Sequence, residues 1–385
     1  MAGLARGTSR LTGALKSDDT RHMATALRAM GVGVEEPDAT TFVVTGSGTL
    51  AAPDAPLFLG NAGTAMRFLT AAAVLVDRTI VLDGDAHMRK RPIAALIAAL
   101  RALGVDISDT NGKPPVTIAG KGGLDGGRVE IDASLSSQYV SAVLIAAPCA
   151  KGAVDVALAG ADIGARGYVD LTLAAMRRFG AQAEALGEAA WRIGPTGYRA
   201  ADLAIEPDAS AATYLWAAER LTRGSIDLGL PAAQFTQPDA AAHAVIAAFP
   251  TMPAVIEGSQ MQDAIPTLAV LAAYNETPVR FTGIANLRVK ECDRISALAE
   301  GLNRIRAGLA SEDGDDLIVT GDPALRGANV SAVIDPRADH RIAMSFALVG
   351  LMTSGIAIED PDCVAKTYPR YWEDLASLGV RLSFS

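Results

Sequence analysis

Aromatic residues make up only 5% of this 385-residue sequence, which has three cysteines and four histidines. Each scarcity excludes something. Cys149, Cys292 and Cys363 are odd in number and widely separated, which suits reduced thiols and rules out a disulfide framework. His22, His87, His243 and His340 lack metal-ligand spacing, and no two cysteines are close enough in sequence to clasp zinc, so no metal site is expected. No apolar run is long enough to span a bilayer, and no signal-peptide pattern opens the chain, so the expected location is the cytoplasm with no membrane partner. A formal charge of -9 argues against nucleic acid as a partner. Gly112-Lys113 runs into Pro114 and is no phosphate loop of the P-loop type, and no Gly-x-Ser-x-Gly elbow occurs. Chemistry must therefore work through acids, bases and fixed charge, with no cofactor. Residues 1–17 are basic and lack acids; the expectation there is the frayed end of a helix and a loop, with a transit peptide as the alternative.

What is present is organised around Leu59-Gly60-Asn61-Ala62-Gly63-Thr64-Ala65-Met66-Arg67 and the apolar run 68–76 behind it. Glycines flanking Asn61 and Ala62 let the backbone turn with its N–H groups exposed, and a following helix aims its positive dipole end at the turn. That is a seat for a phosphate or a carboxylate.

One helical template recurs. Ile93, Leu96, Ile97, Leu100 and Leu103 precede Gly104-Val105, an amphipathic stripe followed by a left-handed cap. Val169, Thr172, Leu173, Met176 and Phe179 before Gly180 repeat it, as do Met23, Ala24, Leu27 and Met30 before Gly31, and Tyr368, Tyr371, Trp372, Leu375 and Leu378 before Gly379. Ile295, Leu298, Ala299, Leu302 and Ile305 lack the glycine stop, and Ala242, His243, Ile246 and Phe249 end at Pro250. Template ends lie roughly 55 to 75 residues apart, the length of a β-α-β-α-β-β block, so six blocks are expected. Strands are expected at 41–45, 79–82, 115–118, 128–131, 154–158, 317–320 and 355–358, which makes the class α/β or α+β. A crossing between halves is expected at 203–207, with three templates on either side.

Basic residues gather where helices should start: Arg89, Lys90 and Arg91; Lys290 and Arg294; Arg337 and Arg341; Lys366. A cation there opposes the helix dipole unless an anion arrives to use both. Ser136-Ser137-Gln138 places hydroxyl and amide groups at another helix start, either as an N-cap or as a seat for a phosphate or polyol. Asp263, ahead of an apolar helix, is either a cap or a general base.

At this point the sequence resembles the 3-phosphoshikimate 1-carboxyvinyltransferase (EPSP synthase) family. The resemblance is carried by 57–67, Arg91-Pro92, Ser136-Ser137-Gln138, Tyr168-Val169-Asp170, Asp263-Ala264, Asn286-Leu287-Arg288-Val289-Lys290-Glu291-Cys292-Asp293-Arg294, Asp339-His340-Arg341 and Lys366-Thr367, in the family's order over nearly the whole chain. It implies an enolpyruvyl transferase-like inside-out α/β barrel architecture with two domains of three repeats, 1–203 and 204–385, around a shared cleft, in a monomer. It further implies two small-molecule substrates. Ser136, Ser137, Gln138, Asp263, Asn286 and Lys290 would hold shikimate 3-phosphate; Gly63, Arg91, Gln138, Arg294, Arg341 and Lys366 would hold phosphoenolpyruvate. Asp263 would take the proton of the attacking 5-hydroxyl, and Glu291 would handle the proton at C3.

The family pattern opens with a strand and a Lys-Ser motif followed by an Arg, whereas this sequence starts beyond them at Met1-Ala2-Gly3. The alternative expectation is therefore a catalytically weak or silent homologue that keeps the anion seat. Ala165 stands where the family has a substrate-contacting Ser, and Phe68 where it has a Pro. Because Gly63 leaves space beside phosphoenolpyruvate, the herbicide glyphosate should compete with that substrate. Competitive inhibition constants for the parent and Gly63→Ala test this; the Ala variant should be inhibited less, and equal inhibition contradicts the assignment.

Overall fold

Four sheets in this chain follow one plan, seen in a computed structural model that describes residues 1–159 and 166–384. Ala165, singled out above, lies outside the described residues. The α-helices described are Asp18–Ala29 (α1), Gly63–Ala73 (α2), Ala94–Ala102 (α3), Gln138–Ala146 (α4), Arg166–Arg178 (α5), Ala209–Thr222 (α6), Ala242–Ala248 (α7), Ile265–Ala272 (α8), Arg294–Ile305 (α9), His340–Val349 (α10) and Tyr371–Ser377 (α11). The chain divides into two units, Met1–Glu206 and Pro207–Ser385.

In the first unit, Leu57–Phe58 runs parallel to Thr79–Asp83, which is antiparallel to Lys113–Ala119, itself antiparallel to Asp106–Thr110. Gly127–Asp132, Val154–Ala159, Ala190–Ile193 and Ala183–Gly187 repeat that order and polarity. In the second unit Val255–Glu257, Val279–Thr282, Asp316–Val319 and Ala310–Asp313 do the same. Each is an unbroken β-α-β-α-β-β run with one crossover helix between the parallel strands and another before the hairpin. A fourth sheet draws its parallel partners, Tyr198–Arg199 and Leu203–Ala204, from the far end of the first unit. Asn329–Ile334 and Ser354–Ile358 form a two-stranded parallel pair. The sheets are separate, all but the two-stranded pair mix parallel and antiparallel neighbours, and among the described residues none is closed on itself.

Residues 1–17 depart from the expectation. Ala2–Leu4 is a short 3-10 helix, and Ala5–Thr12 is an interior strand, antiparallel to Thr41–Ser47 on one side and parallel to the two short strands on the other. Its sequence, Ala-Arg-Gly-Thr-Ser-Arg-Leu-Thr, has no apolar alternation, so pairing on both edges imposes the strand. Ser9 is fully buried there, and its hydroxyl accepts the Ala201 N–H at 3.1 Å.

The left-handed caps occur where Gly was expected to allow them. Gly31, Gly104, Gly180 and Gly379 have φ of +82°, +82°, +81° and +95°. After each, the next N–H reaches back to close the helix, as in Val32 to Leu27 at 3.0 Å and Val105 to Leu100 at 3.0 Å. α11 starts later than its stripe, at Tyr371, because Pro361–Lys366 forms a 3-10 turn and Tyr368 lies before the helix.

In two of the three β-α-β-α-β-β runs an amphipathic helix, α5 or α9, is paired with one buried almost all round, α4 or α8. Every residue of α8 is buried, as is Tyr139–Ala146 of α4. These two inner helices show no polar stripe in sequence; α2 and α10 are largely buried as well, although α2 carries Thr64, Arg67 and Thr70. No helix among the described residues is long and apolar enough to cross a membrane.

One close helix contact in the second unit is glycine-made. A Cβ at Gly301 of α9 would fall 2.8 Å from Cε2 of the buried Phe346 ring on α10, and closer still to Cζ. Gly301→Ala gains about 1 kcal/mol of helix propensity, but overpacking costs about 1–3 kcal/mol. Equilibrium denaturation should show a net loss of stability; a gain would mean that α9 and α10 separate freely.

Candidate functional site

In the first unit, the turn before α2 brings together most of the residues singled out there. Gly60 has φ +52°, a conformation that turns the chain back so that Gly63 opens α2. Gln138, first residue of α4, donates through Nε2 to Thr64 Oγ1 at 3.0 Å, which joins the starts of the two buried helices. Arg91 folds back over the turn and donates from Nη1 to the carbonyl and side-chain oxygens of Asn61, both at 3.4 Å. A Cβ at Gly63 would lie 2.8 and 2.9 Å from the Arg91 guanidinium nitrogens and closer still to Nη1 of Arg67. The glycine therefore makes room for two guanidinium groups beside a helix N-terminus, and both arginines are buried. Ser137 precedes α4 but its side chain makes no cap; the Ser136 hydroxyl instead accepts the Gln138 N–H at 3.2 Å.

The second unit holds a denser cluster. Arg294, first residue of α9 and 1% exposed, is met by three carboxylates. It donates from Nε to Asp339 at 2.8 Å, from Nη1 to Asp263 at 3.0 Å and from Nη2 to Glu291 at 2.8 Å. Asp339 is fully buried and caps α10 by accepting the Arg341 N–H at 2.9 Å. Asp263 also accepts from Arg341 Nη2 at 3.1 Å and lies 3.8 Å from the Lys290 ammonium, while Glu291 faces Lys366 at 3.2 Å. Lys290 donates to Gln262 Oε1 at 3.4 Å. Asp263 caps nothing, since the N-cap of α8 is Ala264.

The physical logic is local. Asp293 and Asp339, each an N-cap whose carboxylate accepts a backbone N–H, precede Arg294 and Arg341. The acid caps offset the unfavourable placement of cations at helix starts. Burial by itself would raise the Asp263 pKa, but Arg341, Lys290 and Arg294 together outweigh it and hold the carboxyl well below the ordinary range. Asp263 is thus ionised at neutral pH. His340 is buried, and burial, with Lys366 and Arg341 adding to it, keeps its imidazole pKa well below 6.5 and the ring neutral. Asn286 is buried on the 3-10 turn Ala285–Val289, and its side-chain amide meets no hydrogen-bond partner among the described residues.

Not every cation singled out belongs here. Arg89 pairs with Asp83, and Arg337 with Glu300 at 2.5 Å. Sequence reasoning left Arg67, Thr64 and Asp339 without roles. Arg67 lies on the helix that carries the anion turn, where the apolar run around it masks it; Asp339 could have been read as a cap from its place before an apolar helix. Two hollows of about 380 and 350 Å³ in the second unit share Arg220 and Arg223 at the C-terminal end of α6. The clustered acids and cations above line neither, and a cluster of cations at a helix C-terminus is accounted for by the dipole. No group of three or more His, Cys, Asp or Glu among the described residues could hold a metal ion.

The sequence model of the EPSP synthase (3-phosphoshikimate 1-carboxyvinyltransferase) family matches residues 1–260 and 233–375. The chain is 68% identical over 380 residues to 3-phosphoshikimate 1-carboxyvinyltransferase of Pseudomonas syringae pv. syringae (strain B728a), covering 99% of this chain and 91% of the relative. Among solved structures, EPSP synthase from Acinetobacter baumannii is similar with a TM-score of 0.76 at 26% identity, covering 100% of this chain and 93% of that one. The enolpyruvyl transferase NikO from Streptomyces tendae, at 19% identity and a TM-score of 0.68 over 99% and 91% of the two chains, shares the fold.

Removing Asp339 should be costly, because it strips the Arg294 guanidinium of a buried partner and uncaps α10 together. Asp339→Ala should lose about 3–5 kcal/mol in equilibrium denaturation. A loss below about 1 kcal/mol, the cost of a cap alone, would show that the pair contributes nothing.

Proposed function

The chain belongs to the EPSP synthase family, and we propose that it transfers the enolpyruvyl group of phosphoenolpyruvate to the 5-hydroxyl of shikimate 3-phosphate with the residues described above. The observation that carries this reading is the convergence of Lys290, Arg294, Arg341 and Lys366 on two acids, Asp263 and Glu291, within one unit. A proton acceptor and the charge needed to hold an anionic partner are then within a few ångströms of each other.

In the proposed sequence, Asp263 accepts the proton of the 5-hydroxyl as its oxygen bonds to C2 of the enolpyruvate. C3 receives a proton through Glu291, behind which the Lys366 ammonium stands 3.2 Å away. Glu291 then takes a proton back from C3 of the tetrahedral adduct as the bond between C2 and the phosphate oxygen breaks, and phosphate leaves with that electron pair. Fixed guanidinium groups stabilise charge that develops on the phosphate and carboxylate without needing to reorganise. Arg294, Arg341 and Lys366 grip phosphoenolpyruvate together with Gly63, Arg91 and Gln138; Ser136, Ser137, Gln138, Asp263, Asn286 and Lys290 serve shikimate 3-phosphate. Bidentate guanidinium forks suit both a phosphate and a carboxylate.

On this reading the repeats group three to a domain, 1–203 and 204–385, and the enzyme works as a cytoplasmic monomer that takes no nucleic acid or membrane as partner. Nothing in the comparisons favours the alternative of a silent anion-binding homologue.

Phosphate release on mixing the chain with both substrates is the direct test; binding of both without turnover would overturn the reading. Arg341→Ala should raise KM for phosphoenolpyruvate far more than KM for shikimate 3-phosphate, by roughly tenfold or more for a lost charge-assisted pair. Equal rises for the two substrates would show that Arg341 is assigned to the wrong one.

A further inference from the structure

The three acids around Arg294 are not equivalent. Asp339 is fully buried and tied to the backbone as the α10 cap, and Glu291, 6% exposed, is held from both sides by Arg294 and Lys366. Asp263 is 28% exposed, and its carboxylate is held by cations alone: Oδ1 by Arg294, with Lys290 further off, and Oδ2 by Arg341. No backbone N–H among the described residues donates to it. A carboxylate spread across two guanidinium groups, open to solvent on one side, has the geometry of a bound anion that happens to belong to the chain.

Resting on the reading of Asp263 as the base, we propose that its carboxylate is an internal counter-ion occupying the seat of phosphoenolpyruvate, and that the arriving anion displaces it from Arg294 and Arg341 and thereby frees it to accept a proton. Both anions need the same donors: Arg294 spends its Nε on Asp339 and shares Nη2 between Glu291 and Asp339, leaving Nη1 as the position that Asp263 holds. While it is ion-paired, the lone pairs of Asp263 face guanidinium protons and the group is a poor base. Once an external anion takes the guanidinium groups, burial becomes the larger influence and the carboxylate gains basicity. The base is then silent until the second substrate is seated. The exchange also means that this enzyme holds its anionic substrate less tightly than its cations alone would.

The test is calorimetric titration of the full chain with inorganic phosphate and, separately, with phosphoenolpyruvate. Asp263→Asn, which removes the competing charge, should bind both about 5-fold or more tightly, whereas Asp263→Glu, which keeps it, should show no gain. Adding Arg341→Ala to Asp263→Asn should abolish the gain. Unchanged or weaker binding by Asp263→Asn overturns the proposal. Should that variant fold poorly, the rise in Tm on adding phosphate replaces the titration: a larger rise than in the parent supports the exchange, and an equal or smaller one overturns it. Turnover separates this from the base assignment. Loss of kcat by about 10² to 10⁴ with unchanged phosphate affinity leaves the base in place and removes the exchange, whereas full turnover removes the base and the proposal with it.

Discussion

Arg294 is the charge on which the second unit is built. It is almost wholly buried, and a guanidinium in that position is tolerable only because Asp339, Glu291 and Asp263 surround it with hydrogen-bonding oxygens. Those contacts bind three separate segments: the loop 290–293 with the start of α9 that it runs into, the cap of α10 and the turn ahead of α8. The loop has its own anchor, because Arg288 reaches Asp293 at 2.8 Å, Glu312 at 2.9 Å and Asp315 at 2.7 Å. The side chains of the candidate site are thereby fixed by the same pairs that keep the helix starts together, so geometry at the site and integrity of the unit are one requirement.

The fold delivers helix starts to this purpose through repetition. In each complete run the first crossover helix is the buried one, and its N-terminus follows directly on a parallel strand. Gly63 opens α2, Gln138 opens α4 and Asp263 precedes α8 by the same logic. Burial on all sides makes these helices rigid supports, and it leaves their first turns as the place where polar groups can meet a ligand. Their partners in the runs are α3, α5 and α9, and α9 places the buried Arg294 at its first residue.

The two clusters solve the same electrostatic problem differently. Beside α2, the absence of a side chain at Gly63 lets Arg67 and Arg91 crowd against a helix N-terminus. In the second unit, acid caps precede the cations and neutralise much of their charge in advance. A chain with a formal charge of -9 can in this way present concentrated positive charge locally without losing stability there.

Sequence alone determined the amphipathic helices, their left-handed glycine caps and most interior strands, because periods of 3.6 and 2 and a residue free to adopt positive φ are local properties. The motifs 57–67, 286–294 and 339–341 likewise placed the candidate cations and acids in order along the chain. What only the tertiary structure decided was the set of relations between distant segments. Ala5–Thr12 became an interior strand through pairing with residues nearly two hundred positions away, a relation its own polar sequence does not signal. The buried helices α4 and α8 escaped periodicity because they have no polar face. Asp263 could be read as cap or base, but that it is gripped by Arg294 and Arg341 depends on how α8, α9 and α10 pack, since charges interact by distance in space and not by separation along the chain.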